Sequence, residues 1–440
     1  MTLLITNATL LPCTPDMPVI ENGFVQVEGE TITATGAGPA PAIDGAETID
    51  VAGDIVMPGM VNPHCHMAMT LFRGLGEDVD DRLYRYVLPL ERKFVTPEMV
   101  RAGTRLAALE LIAGGVTTVA DMYYFETEVG RVIDEAGMRG VVGQTIADFD
   151  PPDHATIDAG FALTEELVAE FAGHARVIAS IAPHAPYSTD IAVMNRVARW
   201  ADDHPGVPVQ IHLAEMDSEM DWCAKNHGLR PVEVVEKAGL LRKGLICAHC
   251  LHVSQGDIEK MARAEVRVAH NARSNAKAGR GIAPVEAMRT AGLPVGIATD
   301  GPMSGNTLDL FSQFAPVTMF QKLLGHSRKP MPGVEVIRMA TAEGARVLGL
   351  DNRIGTLEAG KQADLIRIDM SAPRLQPVYD PYATLVFSAM PGDVRDVMVA
   401  GSWLMRDRTV LTLERKQVLR DALQVAARFK AEMTRIDAGG

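Results

Sequence analysis

At 440 residues the chain is long for one compact core, so a large domain with a smaller companion is expected. A net charge of −14 argues against nucleic acid as a partner and is better read as solubility, and 47% apolar with 22% charged residues is ordinary for a globular protein. No run of 18 apolar residues occurs, and the opening MTLLITNATLLPCT lacks the basic start of a signal peptide, so no membrane partner and a cytoplasmic location are expected.

Residues 1–57 read as short strands, among them Leu3-Leu4-Ile5-Thr6, Phe24-Val25-Gln26-Val27 and Thr31-Ile32-Thr33-Ala34. Asn, Gly and Pro turns separate them, and GAGPAPA at 36–42 is a loop by composition. The apolar run 55–61 leads into Pro63-His64-Cys65-His66. Side chains two apart on an extended segment face the same way, so His64 and His66 present two imidazoles together, half of a metal site. By the same alternation Cys65 points away. Residues 107–112 read as helix and Thr117-Thr118-Val119-Ala120 as strand, split by Gly114-Gly115. Residues 176–182 form another strand, ending at His184.

Three further β-like runs end in polar residues. They are Val209-Gln210-Ile211-His212-Leu213-Ala214-Glu215, the run 244–250 with His249, and the run 293–301 with Asp300. Short apolar runs alternating with helical stretches describe a parallel sheet with crossover helices. In a (β/α)8 barrel such residues converge at the carboxyl ends of the strands. After Leu350 the strand texture of the start returns, in 363–368 and 396–403, and residues 413–436 have helical periodicity. Cys13, Cys65, Cys223, Cys247 and Cys250 suit a reducing compartment; Cys247 and Cys250 form a CxxC with no second pair to complete a zinc knuckle.

The ordered set His64 and His66, His212 with Glu215 in HLAE, His249 in AHC and Asp300 in TDG resembles the amidohydrolase superfamily. It is most similar to the branch of methylthioadenosine/S-adenosylhomocysteine deaminases and triazine hydrolases. MTLFRGLGED (69–78), GGVTTVADMYY (114–124), APHAPYS (182–188), HNARSNAKAGRGIAPV (270–285) and GTLEAGKQADLI (355–366) extend the resemblance over nearly the whole chain. It implies an α/β fold, with a (β/α)8 TIM barrel over 58–350. It also implies a small β-sandwich from 1–57 and 351–412, with 413–440 as a C-terminal helix.

The resemblance implies one divalent metal, Zn²⁺ or Fe²⁺, on His64, His66, His212 and Asp300, with an open position for water. Strand 176–182 offers no Lys to bridge a second ion. A bound ion brings the pKa of water toward neutrality. Glu215 is the expected proton shuttle, His249 orients the water, and Asp300 also relays a proton to the leaving group. The implied reaction is hydrolytic deamination of a small aminated heterocycle. Chloride leaves without a proton, whereas an amine needs one, so the presence of both Glu215 and His249 favours an amine substrate. The alternative is an s-triazine or pterin aminohydrolase or chlorohydrolase. Family habit also allows a homo-oligomer.

Glu91 matches the acid that binds ribose hydroxyls in the nucleoside deaminases, and His184 the histidine that contacts the purine. Two departures stand out. Gln144 and the acidic loop 148–153 replace arginines that bind a homocysteine carboxylate, and Arg82 stands where Trp is common. Arg82 serves an acidic substituent or pairs with Asp80 or Asp81. The expected substrate is an adenosine-type nucleoside with a neutral 5′ extension or none.

Overall fold

Strands β1 (Thr2–Leu10), β2 (Ile20–Glu28) and β3 (Thr31–Ala37) pair antiparallel in sequence, and β2 alternates buried and outward residues from Gly23 on. The computed structural model describes residues 2–79 and 82–439. Strands β4 (Glu47–Asp50) and β5 (Ile55–Pro58) both run parallel to β1. The next four strands, β6 (Met60–Cys65), β7 (Val116–Tyr123), β8 (Arg139–Ile146) and β9 (Val177–Pro183), form a parallel sheet in chain order. A second parallel sheet follows, of β10 (Gln210–Leu213), β11 (Ile246–His249), β12 (Arg267–His270) and β13 (Val295–Ile297). Every residue of β6, β7 and β8 is buried, as expected for parallel strands covered on both faces.

The two parallel sheets meet at both outer edges. On one side, the Ile181 N–H donates to the Pro208 carbonyl at 3.2 Å and the His212 N–H to the His184 carbonyl at 3.0 Å. On the other, the Asp300 N–H donates to the His64 carbonyl at 3.2 Å, and Asn62 and Thr299 exchange two buried hydrogen bonds. The carboxyl ends of β6, β10, β11 and β13 therefore lie around one centre.

The chain ends in β14 (Leu365–Ile368), β15 (Val394–Val399), β16 (Ser402–Arg406) and β17 (Thr409–Val410). Strand β14 pairs antiparallel with β5, about three hundred residues earlier in the chain. The sequence suggests a small sandwich from the two terminal segments. Hydrogen bonding instead links them into one nine-stranded mixed sheet, ordered β17-β16-β15-β14-β5-β1-β2-β3 with β4 on β1. The final helix Arg415–Gly439 leaves this sheet and packs Phe429 between Phe72 and Phe94.

One glycine positions the site directly. Gly103, in the helix Pro97–Ala113, faces the Ala68 carbonyl, and a Cβ there would stand 2.3 Å from that oxygen. The close approach seats the turn Met67–Phe72, just beyond His66, which the Thr70 hydroxyl ties to the Gly103 carbonyl at 2.7 Å. All five cysteines are free and buried. Among the described residues no helix is long and apolar enough to cross a membrane.

Candidate active site

The strand ends bring His64, His66, His212, His249 and Asp300 together, with ring centroids of His64, His66 and His212 4.9–5.3 Å apart. Two of the imidazoles have their tautomer fixed. His66 Nδ1 meets the Met122 carbonyl at 2.5 Å, and His212 Nδ1 meets the His184 carbonyl at 2.9 Å. A carbonyl only accepts, so each Nδ1 carries a proton and each Nε2 is the nitrogen aimed inward, able to offer its lone pair to a cation. Those Nε2 atoms stand 3.4 Å apart, a contact that repels unless a proton or a cation lies between them. His64 Nε2 is buried without a hydrogen-bond partner, 3.8 Å from Asp300 Oδ1, which is 3.3 Å from His66 Nε2. An orphaned nitrogen, two further inward nitrogens and one carboxylate fit a single divalent cation.

Backbone geometry is spent on this arrangement. Asp300 and His249 sit at φ +60° and +71°, left-handed conformations that cost a side-chain-bearing residue roughly 1–3 kcal/mol each. Asp300 is held by the Ser274 hydroxyl on Oδ2 at 2.5 Å and its neighbour's Gly301 N–H on Oδ1 at 2.7 Å. Cys65 points away, donating to Asp121 Oδ2 at 3.4 Å, and that oxygen also caps the Met67 N–H.

Burial and the neighbouring imidazoles push His64 well below its ordinary pKa and His212 to about 4. Burial also opposes charge on His66, but the Asp300 carboxylate outweighs it and holds His66 at about 9. The metal-free site therefore keeps one proton on His66 at neutral pH. Cation binding should expel it, so titration calorimetry at pH 7.5 in buffers of different ionisation enthalpy should report release of about one proton per ion. Equal heats in all buffers would contradict this electrostatic picture.

Glu215 follows Ala214, which turns at φ +51°, and the Ala214 and Glu215 N–H groups both donate to the Glu219 carboxylate, at 2.9 and 2.8 Å. Glu215 Oε1 lies 3.7 Å from His249 Nε2 and forms an ion pair with Arg280. Burial raises the Glu215 pKa, but the electrostatic pull of nearby His249, Arg280 and His212 outweighs it and holds the carboxyl below its usual range. Glu215 is thus a carboxylate at neutral pH. His249 Nδ1 faces Asn275 Oδ1 at 2.9 Å, which leaves Nε2 as the acceptor toward the cavity.

His66, His212, Glu215, His249 and Asp300 line a cavity of about 570 Å³. It shares His66, Met69, His184, Tyr187 and Met303 with a neighbouring cavity of about 320 Å³ whose wall includes Glu91, Tyr124 and Phe149. Glu91 lies on the helix Leu88–Phe94, buried, and accepts the Tyr123 hydroxyl at 2.7 Å. Burial pushes its pKa up to about 7, against the restraint of that hydrogen bond and of His66. His184 bonds the Ser188 hydroxyl at 2.6 Å and lies edge-on to Phe149.

Arg82 lines the larger cavity and pairs with Glu77 at 3.5 Å; Asp80 and Asp81, the partners suggested by sequence, lie outside the described residues. Gln144 lines neither cavity. Its amide donates to Asp153 Oδ2 at 2.9 Å, while Thr145, Asp148 and Phe149 face the smaller cavity. His252 lies 3.7 Å from Asp217 and lines neither cavity. Sequence reasoning assigned no role to Ser274, Asn275, Arg280 or Tyr123. For the first three the signal was present in HNARSNAKAGRG, where polar residues crowd just beyond the end of β12; Tyr123 closes β7 itself.

Inward imidazoles and a carboxylate at the ends of parallel strands define a metal-centred hydrolytic site. The chain matches the sequence model of the Amidohydrolase family over residues 55–404 and belongs to that family. It is 38% identical over 432 residues to the 5-methylthioadenosine/S-adenosylhomocysteine deaminase of Syntrophobacter fumaroxidans, covering 97% of this chain and 98% of that one. The Desulforudis audaxviator protein of the same name is 39% identical, with 98% and 99% covered. A crystal structure of an adenosine deaminase from Xanthomonas campestris with bound zinc superposes with a TM-score of 0.94 at 32% identity, covering 98% of both chains. The zinc complex of an atrazine chlorohydrolase from Arthrobacter aurescens shares the fold, with a TM-score of 0.90 at 21% identity over 96% of this chain and 100% of that one.

Proposed function

We propose that this protein is a metal-dependent aminohydrolase that converts an adenosine-type nucleoside and water to the inosine analogue and ammonia. The observation that carries the reading is Glu215 beside His249, 3.7 Å apart, in the cavity that His66, His212 and Asp300 also line. Release of an amine needs a proton donor at that place. The relatives named as deaminases, similar over nearly their full length, support it.

His64, His66, His212 and Asp300 would hold one ion, Zn²⁺ in preference to Fe²⁺, as the zinc-bound relative suggests. Such an ion acidifies a coordinated water and so supplies a nucleophile at neutral pH. Glu215, ionised, accepts the proton of the attacking water and returns it to the ring nitrogen beside the attacked carbon. His249 orients that water through Nε2, because Asn275 engages its Nδ1. Asp300 takes the remaining proton of the hydroxyl added to the ring carbon and relays it to the departing amine, which leaves as ammonia. His184 contacts the base, Glu91 accepts ribose hydroxyls, and Arg82 borders the substrate. The smaller cavity is mostly aromatic and aliphatic and carries Asp148, which suits a neutral 5′ group and disfavours a carboxylate.

The proposal extends to architecture. Edge contacts between the two parallel sheets support one closed (β/α)8 barrel over 58–350, beside a unit built from 1–57 and 351–412 and the helical segment 413–440. Exposed Met319, Leu323, Leu324 and Phe387 on neighbouring helices support self-association, and five buried free thiols a reducing compartment such as the cytoplasm.

The test compares wild type and Glu91→Ala on adenosine, methylthioadenosine and S-adenosylhomocysteine, beside melamine, atrazine and a pterin. Loss of a charge-assisted bond pair should raise the nucleoside KM roughly 10- to 100-fold. Wild-type KM should also rise as pH falls through about 7, where Glu91 takes up its proton. Turnover confined to triazines or pterins and indifferent to Glu91→Ala would replace the nucleoside reading. Preference for S-adenosylhomocysteine would overturn the neutral 5′ group.

A further inference from the structure

One short segment touches three of the groups assigned to chemistry. Ser274 donates to Asp300 at 2.5 Å, Asn275 faces His249 Nδ1 at 2.9 Å, and Arg280 reaches across 65 positions to Glu215. Arg280 lies between the helices Ala272–Lys277 and Val285–Thr290, flanked by Gly279 at φ +66° and Gly281 at φ +117°. Its backbone N–H donates to the Asn275 carbonyl at 3.0 Å, so the main chain that carries the guanidinium is tied to the residue that faces His249.

The Glu215 backbone is fixed by Glu219, but its side chain still has rotatable bonds. Among the described residues Arg280 is the only Arg or Lys paired with its carboxylate, and it and the His249 imidazole both approach Oε1. Oε2 accepts no hydrogen bond from the described residues. A one-point tether of this kind limits rotation of the carboxylate while leaving one oxygen for work. The tether is permanent, because a guanidinium keeps its charge at any working pH.

We propose that Arg280 is a positioning residue, which holds Glu215 by Oε1 so that Oε2 carries out the proton transfers. This inference rests on the role of Glu215 proposed above. Misplacement of a catalytic group by about 1 Å can cost ~100-fold in rate, so the effect belongs in kcat.

The experiment measures kcat and KM for Arg280→Ala and Arg280→Gln on the best wild-type substrate, with bound metal and Tm as controls. Arg280→Ala should lose roughly 10- to 100-fold in kcat with KM within about threefold, unchanged metal content and unchanged Tm. Millimolar guanidinium ion should restore part of that kcat, and should do nothing for Glu215→Gln. A kcat within about twofold of wild type, a loss confined to KM, or no guanidinium rescue of a folded variant would overturn the proposal. Should Arg280→Ala fail to fold, the kcat-against-KM split of Arg280→Gln decides by the same limits. Absence of wild-type turnover on any aminated heterocycle sinks the deaminase reading; normal wild-type turnover with an indifferent Arg280 sinks only this one.

Discussion

Glu215→Gln should lower kcat by roughly 10²- to 10⁴-fold, the range that a positioned general acid–base contributes. The amide keeps the shape of the side chain and can still meet Arg280 and His249, so folding and metal content should hold. What it cannot do is take a proton from water or return one to a ring nitrogen. The carboxyl is held below its usual pKa by His249, Arg280 and His212 despite burial, so it starts the cycle as a base. KM should change little, because the interaction lost belongs to the transition state. Steady-state kinetics with a metal assay on the same preparation checks this. A variant with full metal and near-wild-type kcat would remove Glu215 from the chemistry.

Asp300→Asn should be at least as damaging, by a different route. Asp300 is the only carboxylate in the inward set, and it faces His64 and His66 at 3.8 and 3.3 Å. Asparagine keeps an oxygen for Ser274 or Gly301 but removes the negative charge. Three neutral imidazoles then face a dication alone, and His66 loses the partner that holds its pKa at about 9. Metal affinity should fall by about 10²-fold or more and kcat by roughly 10³-fold. Metal content after dialysis against a weak chelator separates the two losses. Full metal retention with full activity would contradict the ligand assignment.

Much of the inward-facing set was legible in the sequence, because it sits where strand periodicity and strand ends decide direction. His64 and His66 flank Cys65, and alternation alone sends the thiol the other way, to Asp121. The same rule bears on Gln144, which the sequence matches only by position to a carboxylate-binding arginine. Its neighbour Thr145 lines the cavity, so Gln144 faces the opposite side and serves Asp153. A residue matched by position says nothing of its face until the strand is in register. Long-range pairs were out of reach. The Arg280–Glu215 tether spans 65 positions. Joining of β5 to β14 is another such case: several of the terminal strands were legible, but not β4 or β17, nor that all nine would share one sheet.

The most direct test is the ultraviolet difference spectrum of adenosine under the zinc-loaded protein, with ammonia quantified in parallel. The account predicts conversion to the inosine spectrum with one ammonia released per nucleoside consumed. No ammonia from adenosine or methylthioadenosine, with chloride released from atrazine by the same preparation, would contradict it.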